Sequence, residues 1–129
     1  MQNTDWYNLL AKPLFTPPDQ VFMIVWPALY TMMAVSLWFI IRKDPSKEKT
    51  KAILIFFVQL LFNLAWPAVF FGAKSTGGAL VVLICLLFFL FYTIFLFYKQ
   101  SEASAFLLIP YAFWCVFALY LNIGIVLLN

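Results

Sequence analysis

Four long apolar stretches, separated by short polar segments, make up most of this sequence. They run from Val21 to Ile41, Ala52 to Phe71, Gly78 to Tyr98 and Ala105 to Leu128, and no Asp, Glu, Lys or Arg interrupts them. About 20 helical residues cross the hydrocarbon core of a bilayer. Because lipid offers no hydrogen-bond partners, each stretch is predicted to be a helix that satisfies its own backbone. The predicted fold is therefore an all-α polytopic membrane bundle with four transmembrane helices, in one domain covering residues 1–129.

The segments between these helices predict how they are arranged. All the connections are short, so consecutive helices are predicted to be antiparallel neighbours. Segment 42–51 holds five of the eight basic residues. Positively charged loops favour the cytoplasmic side, which places residues 1–20 and the C-terminus on the outer side. Pro27, Pro67 and Pro110 lie inside three of the helices; they either kink them and leave room in the bundle, or are simply tolerated as prolines often are in membranes.

The composition agrees with lipid as the solvent and excludes several classes of function. Of 129 residues, 66% are hydrophobic and 10% charged, against about 45–50% and about 25% in soluble domains. Histidine is absent, and Cys85 and Cys115 lie within apolar runs. We therefore predict no catalytic residues, no metal site and no required cofactor. The net charge of +3 is concentrated beside a membrane span, which does not indicate a nucleic-acid surface.

Polar and aromatic side chains form one stripe on each of three predicted helices. Their spacing puts each set on a single helix face: Trp26, Tyr30 and Met33; Gln59, Asn63 and Trp66; and Tyr111, Trp114, Ala118 and Asn122. By helical rise, Trp26 lies roughly 8 Å from the outer end of its helix and Asn63 roughly 17 Å from the inner end of its own. If the stripes turn inward together, they form an aromatic-walled cavity with a few amides, which suits a flat apolar ligand.

Simpler interpretations of the same residues stay open at this point. Membrane Asn and Gln commonly join helices through hydrogen bonds, and Trp and Tyr commonly form a belt at the headgroups. The third helix consists almost entirely of Leu, Val, Ile and Phe, and is predicted to face lipid or pack without a functional role. The segment from Asp5 to Pro18 is either a lid over the bundle or an interfacial anchor.

These residues together resemble one family. Their order and spacing are similar to those of the TspO/MBR family, the translocator protein or tryptophan-rich sensory protein family, from about Trp6 to Asn129. The residues that carry the resemblance are Trp6-Tyr7, Leu9 or Leu10, Lys12-Pro13, Pro17-Pro18, Trp26, Tyr30, Gln59, Asn63, Trp66, Phe70-Phe71, Tyr111, Trp114, Phe117-Ala118 and Leu121-Asn122.

The resemblance implies a five-helix bundle with a ligand pocket that opens toward its first long loop. Family ligands include porphyrins such as protoporphyrin IX, sterols and synthetic isoquinolines or benzodiazepines. It implies that the ligand-binding residues are Trp26, Tyr30, Gln59, Asn63, Trp66, Tyr111, Trp114, Ala118 and Asn122. It implies a lid loop that contains Trp6, Tyr7, Lys12, Pro13, Phe15, Pro17 and Pro18.

The sequence also departs from the family pattern. The family has a helix before the Trp-Tyr motif, and here only five residues precede Trp6. We expect either a shortened sequence, or a bundle that closes the gap with lipid or a second copy. Phe15 stands where the family commonly has Trp, and no basic residue follows Tyr120 as the sterol-recognition pattern of animal members requires. Porphyrin is therefore the better-supported ligand.

The expected function is that of a receptor or carrier that binds tetrapyrroles in a bacterial cell membrane, with surrounding lipid and a second copy of the chain as partners. The alternative is light- and oxygen-dependent porphyrin breakdown that uses Trp26, Trp66 or Trp114. A transporter or channel is disfavoured because no carboxylate lies within the spans. A purely structural assembly protein is a further alternative, although no Gly-xxx-Gly helix face favours it.

Overall fold

The computed structural model describes residues 19–128, with side chains from Ile24 onward. Its helices are α1 (Asp19–Ile41), α2 (Lys47–Pro67), α3 (Thr76–Gln100) and α4 (Glu102–Leu128), and a π-helical turn, Ala68–Gly72, continues α2. All four helices are long and apolar enough to cross a membrane. The predicted all-α bundle with four spans is confirmed. The predicted lid loop, Trp6 to Pro18, lies outside the described residues.

Side-chain caps extend α2 and α3 beyond the apolar stretches that predicted them. The helix α2 begins at Lys47 because the Ser46 hydroxyl accepts a hydrogen bond from the Lys49 amide at 3.0 Å. Ser75 caps α3 in the same way through the amide of Gly78, also at 3.0 Å. The predicted loop 42–51 is consequently shortened, and Lys47 to Lys51 belong to α2. We call the end of the bundle that carries these basic residues the basic end.

The prolines have different local effects. Helices α1 and α4 continue on both sides of Pro27 and Pro110. In contrast, α2 changes from α to π geometry directly after Pro67. A proline removes one backbone hydrogen bond of an α-helix. Backbone hydrogen bonding continues beyond Pro67, where the Ala73 amide donates to the Ala68 carbonyl at 3.0 Å.

Each helix contacts the next one along the chain, as predicted, but the contacts differ in extent. Helix α3 packs extensively against both α2 and α4, whereas α1 packs mainly against α4 and has only a small contact with α2. Short side chains explain the preference for α4. Ser36 and Ser104 are both completely buried between α1 and α4, where they permit the helices to approach closely.

A reciprocal pair of hydrogen bonds holds α1 to α4 near the basic end. The Ser36 hydroxyl donates to the Ser104 carbonyl at 2.8 Å. The Ser104 hydroxyl donates in turn to the Ser36 carbonyl. We call this pair the serine clasp. Because lipid cannot replace these bonds as water would, they contribute to the association of the two helices.

The outer surface of the bundle is apolar, as lipid contact requires. Leu61, Phe88 and Phe113 are 65%, 66% and 72% exposed. The exposed large apolar residues occur on all four helices, so each helix presents one side to the surroundings. Four apolar spans with apolar outer faces make this chain an integral membrane protein.

The serine clasp yields a stability prediction. Ser36→Ala removes one donor between α1 and α4, and we expect a loss of about 1 kcal/mol in the free energy of unfolding, the scale of such bonds in membranes. Unfolding in mixed detergent micelles measures it. Thr31→Ala is the matched control, since the Thr31 hydroxyl donates only to the Pro27 carbonyl of its own helix. Equal losses in the two variants would contradict a role of the clasp in holding the helices together.

Candidate ligand pocket

A narrow cavity lies between the helices in the half of the bundle away from the basic end. Its volume is only about 10 Å³. All four helices contribute to its wall, which is formed by Trp26, Asn63, Trp66, Leu83, Leu86, Trp114, Cys115 and Ala118. No charged side chain is among them. The cavity therefore combines three indoles with one amide in an otherwise apolar lining.

Aromatic contacts hold the indoles in place. The rings of Trp26 and Trp114 meet edge to face with centroids 6.4 Å apart, joining α1 to α4. Trp26 also stacks on Tyr30 at 6.0 Å. On α2, Trp66 stacks on Phe70 of the π-helical turn at 4.9 Å. Edge-to-face and offset stacked pairs are the favourable arrangements of aromatic rings, so the walls of the cavity are preorganised.

A chain of hydrogen bonds runs beside the cavity and joins three helices. The Tyr30 hydroxyl donates to Asn63 Oδ1 at 2.5 Å, and Asn63 Nδ2 donates to the Tyr111 hydroxyl at 2.8 Å. Tyr111 then donates to Gln59 Oε1 at 2.9 Å. Gln59 Nε2 finally donates to the Met33 sulfur at 3.9 Å. The chain starts and ends on α1, one turn apart, after passing through α2 and α4, and we call it the polar chain.

A second polar contact fixes the end of the cavity near the π-helical turn. The Trp66 indole N–H donates to Asn122 Oδ1 at 3.0 Å. Asn122 Nδ2 donates to the backbone carbonyl of Thr76, in the first turn of α3, also at 3.0 Å. Asn122 is 1% exposed. A single carboxamide on α4 thereby sets the orientation of Trp66 and ties α2, α3 and α4 together.

The structure brings all nine residues of the predicted site into one region, in two layers. The first layer lines the cavity and contains Trp26, Asn63, Trp66, Trp114 and Ala118. The second layer lies behind it and holds the first in place through the polar contacts described above; it contains Tyr30, Gln59, Tyr111 and Asn122. Their predicted role in ligand binding stays a prediction.

Three cavity residues lie outside the predicted set. Leu83 and Leu86 come from α3, for which no functional role was predicted, and Cys115 comes from α4. The leucines carry no signal in a helix that is apolar throughout. The cysteine directly follows Trp114 in sequence, but an apolar run around a thiol looks the same whether it faces a cavity or packs in a core.

Both interpretations of the membrane amides hold in part. Asn63 joins α1, α2 and α4 by hydrogen bonds, as the interhelical interpretation expected, and it also lines the cavity. Trp26 and Trp114 contact each other across two helices, which differs from an outward-facing belt. Trp38, by contrast, is 51% exposed and lies outside the pocket.

The cavity is almost filled by the side chains around it. Space for the centre of a water molecule amounts to about 10 Å³, close to the minimum that one water molecule needs. A molecule larger than water therefore enters only if the cavity widens. Among the described residues no group of three or more His, Cys, Asp or Glu side chains is placed to hold a metal ion.

Comparison with known proteins identifies the family. A sequence model of the TspO/MBR family matches residues 1–128. The chain belongs to the TspO/MBR family. The predicted resemblance is thereby confirmed. Among its motif residues, Trp26, Asn63, Trp66, Trp114 and Ala118 line the cavity.

Individual relatives of this TspO/MBR chain come from bacteria and animals. It is 37% identical over 125 residues to the tryptophan-rich protein TspO of Chlorobaculum tepidum, covering 96% of this chain and 79% of that protein. It is 32% identical to the tryptophan-rich sensory protein of Cereibacter sphaeroides, covering 97% of this chain and 77% of that protein. It is 36% identical to the human translocator protein, covering 91% of this chain and 70% of that protein.

The polar chain yields a prediction about access to the cavity. Tyr30→Phe removes the bond from α1 to Asn63, so α1 separates from α2 more often. Cys115 is 1% exposed, and Cys85→Ser leaves it as the one thiol in the chain. We expect it to react roughly threefold to tenfold faster with N-ethylmaleimide, because that factor corresponds to the free energy of one hydrogen bond in a membrane. The reaction is followed by mass spectrometry.

Tyr98→Phe provides the matched control, because Tyr98 is 52% exposed and lies near the C-terminal end of α3, away from the cavity. This variant should leave the rate of Cys115 modification unchanged. An unchanged rate in Tyr30→Phe as well would show that the Tyr30–Asn63 bond does not control access.

Proposed function

We propose that this protein binds a flat, largely apolar ligand of the tetrapyrrole class within the bilayer, and acts as a receptor or carrier for it. The observation that carries the proposal is the convergence of three indoles and the Asn63 amide, from three helices, on one uncharged cavity. Indole faces stack on a macrocycle, and an amide orients its polar substituents. The names of relatives, a sensory protein and a translocator protein, support a role in sensing or carrying a small molecule.

The amino-acid composition favours a porphyrin without iron as the ligand. The sequence contains no histidine, so haem iron would have to be held by Tyr, Met or Cys. An amide nitrogen carries two N–H groups, and one N–H of Asn63 is bonded to Tyr111. We assign the other to a polar group of the ligand, such as a propionate.

Binding of so large a ligand requires the cavity to widen. Pockets for drug-sized ligands have volumes of about 300–1,000 Å³, far above the 10 Å³ or so of this cavity. Helix α1 is the element that moves most easily, because it has a small contact with α2. The serine clasp then retains α1 on α4 while its far half swings outward.

We further propose that the protein resides in a bacterial cell membrane as a homodimer, with the basic end toward the cytoplasm. The concentration of five basic residues between Arg42 and Lys51 supports this orientation. The opposite end, where the cavity lies, then faces outward.

Ligand binding is tested by filling the cavity. Ala118→Leu adds a bulky side chain to its wall, and we expect at least about a fivefold weaker affinity for protoporphyrin IX, since overpacking costs about 1–3 kcal/mol. Quenching of tryptophan fluorescence in nanodiscs measures the affinity. Asn63→Ala should also weaken it.

The control adds the same side chain on the outside of the bundle. Ala28 is exposed on α1, so Ala28→Leu should bind protoporphyrin IX like the wild type. The proposal fails if wild-type quenching does not saturate, or if both leucine variants bind equally well.

A second candidate function is the breakdown of bound porphyrin by light and oxygen. Three redox-active indoles on one cavity wall favour it. In that case illuminated protein with protoporphyrin IX forms products that dark samples do not, and Trp114→Phe slows their formation at equal ligand occupancy. Absorbance spectra and mass spectrometry follow the products. Turnover by Trp26→Phe, Trp66→Phe and Trp114→Phe at the wild-type rate would exclude the indoles from the reaction.

A further inference from the structure

An open cleft with basic side chains lies at the basic end of α2, far from the ligand pocket. Its volume is about 630 Å³, and it is lined by Pro45, Ser46, Lys47, Thr50, Lys51 and Leu54. We call it the basic cleft. Helical rise separates Lys47 from Asn63 of the pocket by roughly 24 Å, so the two sites are distinct.

Most polar groups of the cleft and its surroundings already have partners within the protein. The Ser46 hydroxyl accepts from the Lys49 amide at 3.0 Å, and the Thr50 hydroxyl donates to the Ser46 carbonyl at 3.1 Å. The Lys49 ammonium lies elsewhere, where it donates to the carbonyls of Ile41 and Lys43 at 2.8 Å each. Lys47 and Lys51 are therefore the groups that remain to attract a ligand.

The charge of these two lysines is not neutralised locally. Segment 42–51 contains five basic residues and two acidic ones, Asp44 and Glu48, which leaves 5 − 2 = +3. Within the described part of the chain, neither Lys47 nor Lys51 forms an ion pair. The Lys51 ammonium lies 5.4 Å from the centre of the Tyr92 ring of α3, a contact that positions the cation and leaves its charge available to an anion.

An apolar stripe begins in the cleft and continues along α2 into the membrane. It consists of Leu54, Phe57, Leu61 and Leu64, which are 60%, 50%, 65% and 55% exposed. Their spacing places them on one side of the helix. The lysines thus lie at the membrane surface directly above a side of the protein that is open to acyl chains.

We propose that the basic cleft binds one anionic phospholipid, with its phosphate between Lys47 and Lys51 and its acyl chains along the stripe from Leu54 to Leu64. A soluble anion uses only the lysines and leaves the stripe uncovered. A neutral lipid covers the stripe but gains little from the charges. A lipid with a net negative headgroup satisfies both, and lysines near an anionic membrane surface each contribute about a fivefold factor in binding.

The test compares phosphatidylglycerol with phosphatidylcholine of the same acyl chains. The full-length protein in neutral detergent is mixed with equal amounts of the two lipids, and native mass spectrometry counts the lipids retained. We expect the wild type to retain one phosphatidylglycerol in preference. In K47Q/K51Q the preference should fall by on the order of tenfold. K47R/K51R should restore it, which separates loss of charge from loss of fold.

A matched variant separates a defined site from general attraction to the basic end. K43Q/K99Q removes the same number of charges from the same end and should keep the preference. Equal losses in K47Q/K51Q and K43Q/K99Q would overturn the proposal in favour of diffuse attraction. Displacement of the retained lipid by excess glycerophosphoglycerol, the deacylated headgroup, would also overturn it, because the cleft would then be a site for soluble phosphate esters.

Discussion

The position of α1 depends on a hydrogen-bonded chain that leaves this helix at Tyr30 and returns to it at Met33. In a bilayer, apolar helix faces gain little by leaving lipid for one another, so polar contacts and close packing decide how helices associate. The contact between α1 and α2 is small, and Asn63 and Gln59 supply its polar part through Tyr30 and Met33. Near the basic end, the serine clasp holds α1 to α4. The two contacts differ in kind: the clasp consists of completely buried short side chains against backbone, and the polar chain consists of long side chains beside a cavity.

This arrangement explains why one residue serves two purposes. Asn63 occupies the crossing point of three helices because both ends of its carboxamide are used, one by Tyr30 and one by Tyr111. The same residue lines the cavity between the indoles. A buried amide in a membrane bundle is costly unless it is paired, and Asn63 is paired with two tyrosines. Because Tyr30 in turn stacks on the cavity indole Trp26 at 6.0 Å, the polar chain and the aromatic wall support each other.

Much of this follows from the sequence, and the exceptions have physical reasons. Hydropathy alone predicts four spans because lipid permits few alternatives to a helix. Polar side chains are rare in such helices. The spacing of the polar residues from Gln59 to Trp66 and from Tyr111 to Asn122 was therefore enough to predict which of them share a helix face. The contribution of Leu83 and Leu86 to the cavity wall was not predictable, because α3 carries apolar residues on every side and their pattern does not distinguish one side from another. The preference of α1 for α4 rests on Ser36 and Ser104, whose small size matters only once the partner helix is known. Helices α2 and α3 begin earlier in the chain than predicted, because Ser46 and Ser75 cap them ahead of the apolar runs.

The small volume of the cavity and the polar chain together imply that ligand entry and helix movement are one event in the proposed function. A carboxylate that reaches the pocket accepts hydrogen bonds, and the Tyr30 hydroxyl beside the cavity is a donor that is bonded to Asn63 Oδ1 at 2.5 Å. Engaging the ligand through Tyr30 therefore breaks the contact that holds α1 to α2. The new charge-assisted bond is stronger than the neutral one it replaces, so the ligand itself offsets the cost of opening. A purely apolar molecule lacks this compensation and has to open the bundle against an intact polar chain. Discrimination between amphipathic and wholly apolar ligands then arises from the helix contact itself, without any charged residue in the pocket.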